Sequence, residues 1–260
     1  VTPSQNGGFM VKTSRGAIKA QNIVAATGPF QTPVIPSIIA DDRISQIHSF
    51  DYRNPKQLDD GAVLIVGAGS SGSQIADELL RAGRKVYLSI GPHERPPRSY
   101  RGKDFVWWLG TLGKWQMQTP PIGKEHVTIA VSGAYGGKTV DFRKFAHRGM
   151  KLIGMTKAYA NGVITIADDL AKNIANGDIS YLGLLAEADE YIKENNLDFP
   201  AEEDAKTIMP DPACLTSPIR QLNLADAGIK TVLWATGYIQ DFSWLTADVF
   251  DDQKKPIHKK

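Results

Sequence analysis

The chain has 260 residues, with 30 Lys and Arg against 28 Asp and Glu, a formal net charge of +2. That near-neutral balance gives no reason to propose a nucleic-acid or membrane partner. No apolar run reaches bilayer length and no signal peptide is visible. The single Cys214 excludes an internal disulfide and fits a reducing, cytoplasmic setting.

Residues 1–35 read as short strands at about 8–13, 16–20 and 22–26, closed by Pro29, Pro33 and Pro36. These strands arrive with no partner before them and the first residue is Val1, so the sequence is expected to be an excised region of a longer one. A polar connector, 41–60, contains HSFDYRNP, with His48, Ser49, Tyr52 and Arg53. The next segment is a well-formed βαβ unit. AVLIVG (62–67) is a continuous apolar run, as a strand buried on both faces requires. Ile75, Leu79 and Ala82 recur at helical spacing in SQIADELLRAG (73–83), and KVYLSI (85–90) is the second strand.

Between strand and helix lies Gly67-Ala68-Gly69-Ser70-Ser71-Gly72. In that setting each glycine has its own use. Gly67 permits the tight turn, Gly69 the close approach of a pyrophosphate, and Gly72 the packing of helix on strand. The helix start offers free N–H groups and a positive dipole end to phosphates. Ser70, Ser71 and Ser73 add hydroxyl donors. The second strand ends at Ser89 with no acid for a ribose 2′-hydroxyl, and Arg95, Arg98 and Arg101 follow. An uncharged strand end beside guanidinium groups suits a 2′-phosphate, so the turn is expected to prefer NADP(H).

Further along, 104–112 and 141–149 read as short helices and 127–133 as a strand. Residues 150–166 read as a hairpin turning at Asn161-Gly162, and 168–195 as one or two helices with an apolar stripe. The aromatic run Phe105, Trp107, Trp108 and Trp115 reads as local packing, with a pocket lining as the other possibility. TVLWATG (231–237) is a last buried strand and turn. The basic end 254–260 reads as a solvated tail. The remaining histidines, 93, 126, 147 and 258, have no metal-ligand spacing, and no nucleophile–base pair is assignable. Chemistry is therefore expected from bound cofactors.

Taken together, ATG at 26–28, HSxxYRNP, GAGSSGSQIA and a second ATG at 235–237 resemble the flavin-containing monooxygenase family, in its bacterial oxidoreductase branch. The resemblance covers nearly the whole chain. It implies an α/β fold in which a Rossmann-like NAD(P)-binding domain, 41–225, is inserted into a partial FAD-binding domain, 1–40 and 226–260. It implies that NADPH reduces FAD, and that a flavin C4a-hydroperoxide then passes one oxygen of dioxygen to a small organic substrate. Gly67, Gly69 and Gly72 would hold the NADPH pyrophosphate. Ala26, Thr27 and Gly28, and Ala235, Thr236 and Gly237, would match the two segments where the domains meet. His48 and Tyr52 would match the end of the fingerprint FxGxxxHxxxY, although its Phe position is Asp42 and its Gly position Ile44 here. Gly91 stands where the animal branch carries an arginine. A first GxGxxG for FAD is not among these residues. The alternatives are a flavin-linked NAD(P)H reductase, against whose disulfide members a lone cysteine argues, and a non-catalytic NADP-sensing module.

Overall fold

The computed structural model describes residues 1–117 and 128–257. His126 and His258 lie outside the described residues, as do the start of the expected 127–133 strand and the end of the basic tail. Two compact units form: Val1–Val34 with Gly237–Lys260, and Ile35–Thr236 between them in sequence.

The larger unit is built on a five-stranded, wholly parallel sheet. Its order is Lys151–Ile153, Val86–Ser89, Ala62–Val66, Ile229–Trp234, Ser45–His48. The alternation of a strand sorts its side chains to two faces. Val63 and Ile65 join a core with Ile75, Leu79, Phe142, Phe145 and Ile174, from the helices Ser70–Arg81, Phe142–His147 and Leu170–Glu194. Ala62 and Leu64 join a second core with Ile164, Ile166 and Leu222, from an antiparallel sheet of Thr156–Ala160, Val163–Ile166 and Gln221–Asn223. The result is three layers: helices, parallel sheet, antiparallel sheet. Val63, Leu64 and Ile65 are fully buried, and each contributes about 1.5–3 kcal/mol of apolar burial.

Several elements differ from the sequence expectation. The hairpin at Asn161-Gly162 forms, with positive φ at both residues (50° and 83°), as a type I′ turn needs. Its first expected segment, however, is a separate strand, Lys151–Ile153, claimed by the parallel sheet. Residues 168–195 form one helix, Leu170–Glu194. Residues 22–26 form no strand and Val24 is 89% exposed. The 128–133 segment makes only an isolated bridge from Ile129 to Glu94. Ile229–Trp234 lies in the middle of the parallel sheet, so the larger unit runs on to Thr236 rather than ending at 225.

The long helix is tied to the sheet side by charge. Asp178 accepts from Arg95 (Nη2 to Oδ1, 2.6 Å) and from Arg143 (Nη1 to Oδ2, 2.6 Å), and Arg143 also reaches Asp211 (2.7 Å). The Arg95 guanidinium lies over the Tyr181 ring at 4.4 Å. Beyond this network Trp108, Tyr100, Tyr181 and Leu185 form a satellite core, and the Trp108 indole N–H donates to the Tyr100 carbonyl. Local packing therefore accounts for Trp108. His93 is buried against Phe142 and Gly177, and its Nε2 lacks a partner. The smaller unit holds an antiparallel meander, Thr2–Pro3, Phe9–Thr13 and Gly16–Ala20, and a short pair, Thr32–Pro33 with Tyr238–Ile239.

The buried polar groups make stability sensitive to charge. Asp178→Asn strands two buried guanidinium groups and is expected to cost about 3–5 kcal/mol in urea unfolding. Burial holds the His93 imidazole below its ordinary value of 6.5, with its proximity to Arg95 adding to the shift. The unfolded chain then binds a proton that the folded chain refuses. Stability should fall as pH drops below about 6.5, by up to about 1.4 kcal/mol per pH unit from this one group. The slope should shrink in His93→Phe, and an unchanged slope would assign it elsewhere.

Candidate dinucleotide site

Chain direction makes the site. After Ala62–Val66 the chain moves to Val86–Ser89 on one side, while Ile229–Trp234 arrives on the other. Strand order reverses there, and an open α/β sheet binds ligands in the crevice at the carboxyl ends of the strands at such a point. The glycine turn occupies that position, leading from the strand end at Val66 into the helix at Ser70.

The three glycines have different reasons. Gly67 has φ 104°, and a Cβ there would lie 2.4 Å from the Ala235 carbonyl oxygen. A Cβ on Gly72 would lie 1.9 Å from the Gly67 carbonyl oxygen and 3.2 Å from the Ala235 Cβ. Both are therefore demanded by the protein's own packing. Gly69, at φ −68° and ψ −171°, has ordinary backbone, and its Cβ would meet only Thr128, 3.2 Å from the side-chain methyl, and the Ile129 carbonyl at 3.8 Å. The fold itself does not demand its bareness. The first helical bond runs from Ser73 N–H to the Gly69 carbonyl at 2.9 Å, so the N–H groups ahead of Ser73 have no intrahelical acceptor.

Ala235 and the HSxxYR stretch lie beside this turn and its helix. Ala235 N–H donates to the Val66 carbonyl (2.8 Å), which sets Ala235 against Gly67 and Gly72. His48 is buried at the end of the edge strand, and its Nδ1 accepts from Phe50 N–H (3.1 Å). Ser49 N–H donates to the Trp234 carbonyl, and the Tyr52 hydroxyl donates to Glu78 at 3.0 Å. Burial, then the Glu78 carboxylate, pushes the Tyr52 phenol well above its usual range, so it stays a donor. Tyr52 thus braces the helix. Beside the first turn, Ser71 opens on a groove of about 400 Å³ shared with Ser49, Arg53, Gln74 and Glu78. A larger cavity, about 800 Å³ among Asn54, Leu58, Ala82 and Arg84, lies at the other end of the helix.

Four expected ligands are occupied elsewhere. Ser89 is buried. Its hydroxyl donates to the Gly154 carbonyl (2.9 Å) and accepts from Thr156 N–H (3.1 Å), fastening the neighbouring strand. Arg95 is the buried partner of Asp178. Arg98 pairs with Asp104, and Arg101 with Asp189 at 2.9 Å. Proline and charge pairing fold the arginine segment down onto the long helix, not along the strand end. The first ATG, Ala26-Thr27-Gly28, is exposed in the smaller unit, where Thr27 accepts from Gln31 (3.0 Å).

One neighbour of the turn has no counterpart among the sequence expectations. Residues 128–131 cross it. The Ser70 hydroxyl donates to the Ile129 carbonyl (2.9 Å) and accepts from Val131 N–H (3.3 Å). A contact 59 residues away in sequence leaves no periodic or motif signal that could reveal it.

Proteins of known name share this stretch of chain. The family model of pyridine nucleotide-disulphide oxidoreductases matches residues 1–111. An uncharacterized CzcO-like oxidoreductase of Geobacillus kaustophilus is 29% identical over 258 residues, covering 97% of this chain and 57% of its own length. The flavin-containing monooxygenase iboF of Amanita muscaria is 38% identical over 99 residues, 35% of this chain and 18% of its own. Over part of its length the chain is thus similar in sequence to flavin-containing monooxygenases. Flavin-containing monooxygenase 5 of Cavia porcellus extends the likeness to 78% of the chain, at 26% identity and 32% of its own length. A solved flavin-containing monooxygenase from Stenotrophomonas maltophilia superposes with a TM-score of 0.48 at 14% identity, over 96% of this chain and 53% of that one. The chain thus spans 57% of the CzcO-like relative's length and less of the two monooxygenases'.

The glycine geometry separates two roles by experiment. Gly72→Ala should lower the melting temperature sharply or prevent folding, because its methyl meets backbone at 1.9 Å. Gly69→Ala should shift stability by no more than about 1 kcal/mol. Comparable losses in the two variants, read by thermal unfolding, would refute the distinction.

Proposed function

We propose that the chain is the central portion of an FAD- and NADP(H)-dependent monooxygenase, with NADP(H) held by the unit Ile35–Thr236. The observation that carries this reading is the glycine turn at the strand-order reversal, with a ligand-facing Gly69 and uncommitted first-turn N–H groups. Gly67, Ala68 and Gly69 would form the floor under the pyrophosphate, and Ser71 and the helix start would donate to its oxygens. Ala235 closes the turn from the adjacent strand. The nicotinamide would supply a hydride, which a flavin uses to activate dioxygen toward a small organic substrate. The protein's part is to bind, orient and exclude water.

We assign FAD to the smaller unit. The first ATG segment, which lies in that unit, and the names of the relatives support that assignment. No GxGxxG occurs in the sequence of that unit. Among the described residues no helix is long and apolar enough to cross a membrane. A cytoplasmic setting is supported by the single thiol.

The matched family model favours a second reading, a flavin-linked NAD(P)H reductase without oxygen transfer. The two readings share the dinucleotide site and part on the product. NADPH titration of the chain should give saturable binding, and Gly69→Ala should weaken it tenfold or more with the melting temperature kept. Unchanged binding in that variant refutes the assignment of the turn. In the FAD-loaded enzyme, incorporation of labelled oxygen into substrate supports the monooxygenase, and NADPH oxidation without it supports the reductase.

A further inference from the structure

We propose that residues Thr128–Val131 form a strap that closes the dinucleotide site and must lift before NADP(H) can enter. This rests on the reading of the glycine turn given above. The strap is held at both of its sides. On one, Glu94 N–H donates to the Thr128 carbonyl (2.8 Å) and Ala130 N–H donates to the Glu94 carbonyl (2.8 Å), an added parallel bridge beyond the end of the second strand. On the other, the Ser70 hydroxyl binds both Ile129 and Val131, and the Gln74 amide donates to the Val131 carbonyl at 3.4 Å. Ala130, in the middle of the strap, is fully buried.

The strap stands where a pyrophosphate has to lie. A methyl placed on Gly69 would reach within 3.2 Å of the Thr128 methyl. An oxygen touching both walls needs about 7 Å between them, twice an ordinary contact of about 3.5 Å. The closed gap is therefore too narrow for a phosphate against Gly69. The bonds that hold it shut are few and neutral, each worth about 0.5–1.5 kcal/mol net, so a dinucleotide that gains the helix start can displace them. Ser70 is then the latch of the strap in the empty site and not a phosphate ligand.

The two roles of Ser70 predict opposite results. If the hydroxyl latches the strap, Ser70→Ala and the double variant Ser70→Ala/Gln74→Ala bind NADPH with an association rate at least threefold faster and a lower Kd. Amide exchange at Val131 should quicken in the same proteins. If the hydroxyl is a phosphate donor, Ser70→Ala binds more weakly, and that result overturns the strap. Thr128→Gly trims the barrier without touching the helix and should also speed association. Slower or unchanged association in Thr128→Gly counts against the proposal equally. The unsubstituted chain and Gly69→Ala serve as the separate control. A parent chain that does not bind NADPH overturns the functional reading, whereas a parent that binds with rates indifferent to Ser70 and Thr128 overturns the strap alone.

Discussion

The close approach of Ala235 to the glycine turn is the constraint on which the rest of the larger unit depends. Parallel strands lie about 4.8 Å apart, and here the loop leaving one strand must pass the loop leaving the next with no side chain between them. Gly67 and Gly72 meet that demand, with positive φ at the first and no room for a Cβ at either. The first helix can then lie close against Val63 and Ile65, and its N-terminus is aimed at the crevice as a consequence. The geometry proposed for phosphate binding is thus a by-product of packing at two of the three glycines. Only the third is not demanded by the fold.

A second constraint is electrostatic and acts farther from the crevice. The long helix Leu170–Glu194 carries Asp178 at a buried position, an expensive place for a carboxylate unless cations come with it. Arg95 and Arg143 supply them from two other segments. Arg95 is thereby drawn inward, onto the long helix. Arg98 and Arg101 then meet Asp104 and Asp189. The buried pairing and the route of this segment are one arrangement.

The βαβ unit is legible in sequence because its signals are local: an apolar run, three glycines within six residues, and a helical stripe. The Asn161-Gly162 turn is legible for the same reason. The arginines are not, because a guanidinium facing a phosphate and one facing an aspartate 83 residues away have the same local sequence. The informative residue is Asp178, an acid between Gly177 and Ile179 on the buried face of its helix. The strand expected at 22–26 fails for another reason: its apolar residues have no partner to cover them, and Val24 stays in solvent. Ser89 has a ligand's position at a strand end. Position does not reveal that Gly154 and Thr156, from the chain leaving the neighbouring strand, consume the hydroxyl.

The helix start must satisfy two partners in such a site. Its free N–H groups and positive end attract an anion, but until one arrives those groups face either water or whatever chain lies nearby. In this structure the nearby chain is the 128–131 segment, and Ser70 engages it both as donor and as acceptor. A hydroxyl satisfied in this way contributes nothing to the ligand until the strap leaves, and the strap's polar groups must find water when it does. The affinity for a dinucleotide is then the difference between two occupancies of the same surface, so changes that weaken the strap strengthen the ligand by the same amount.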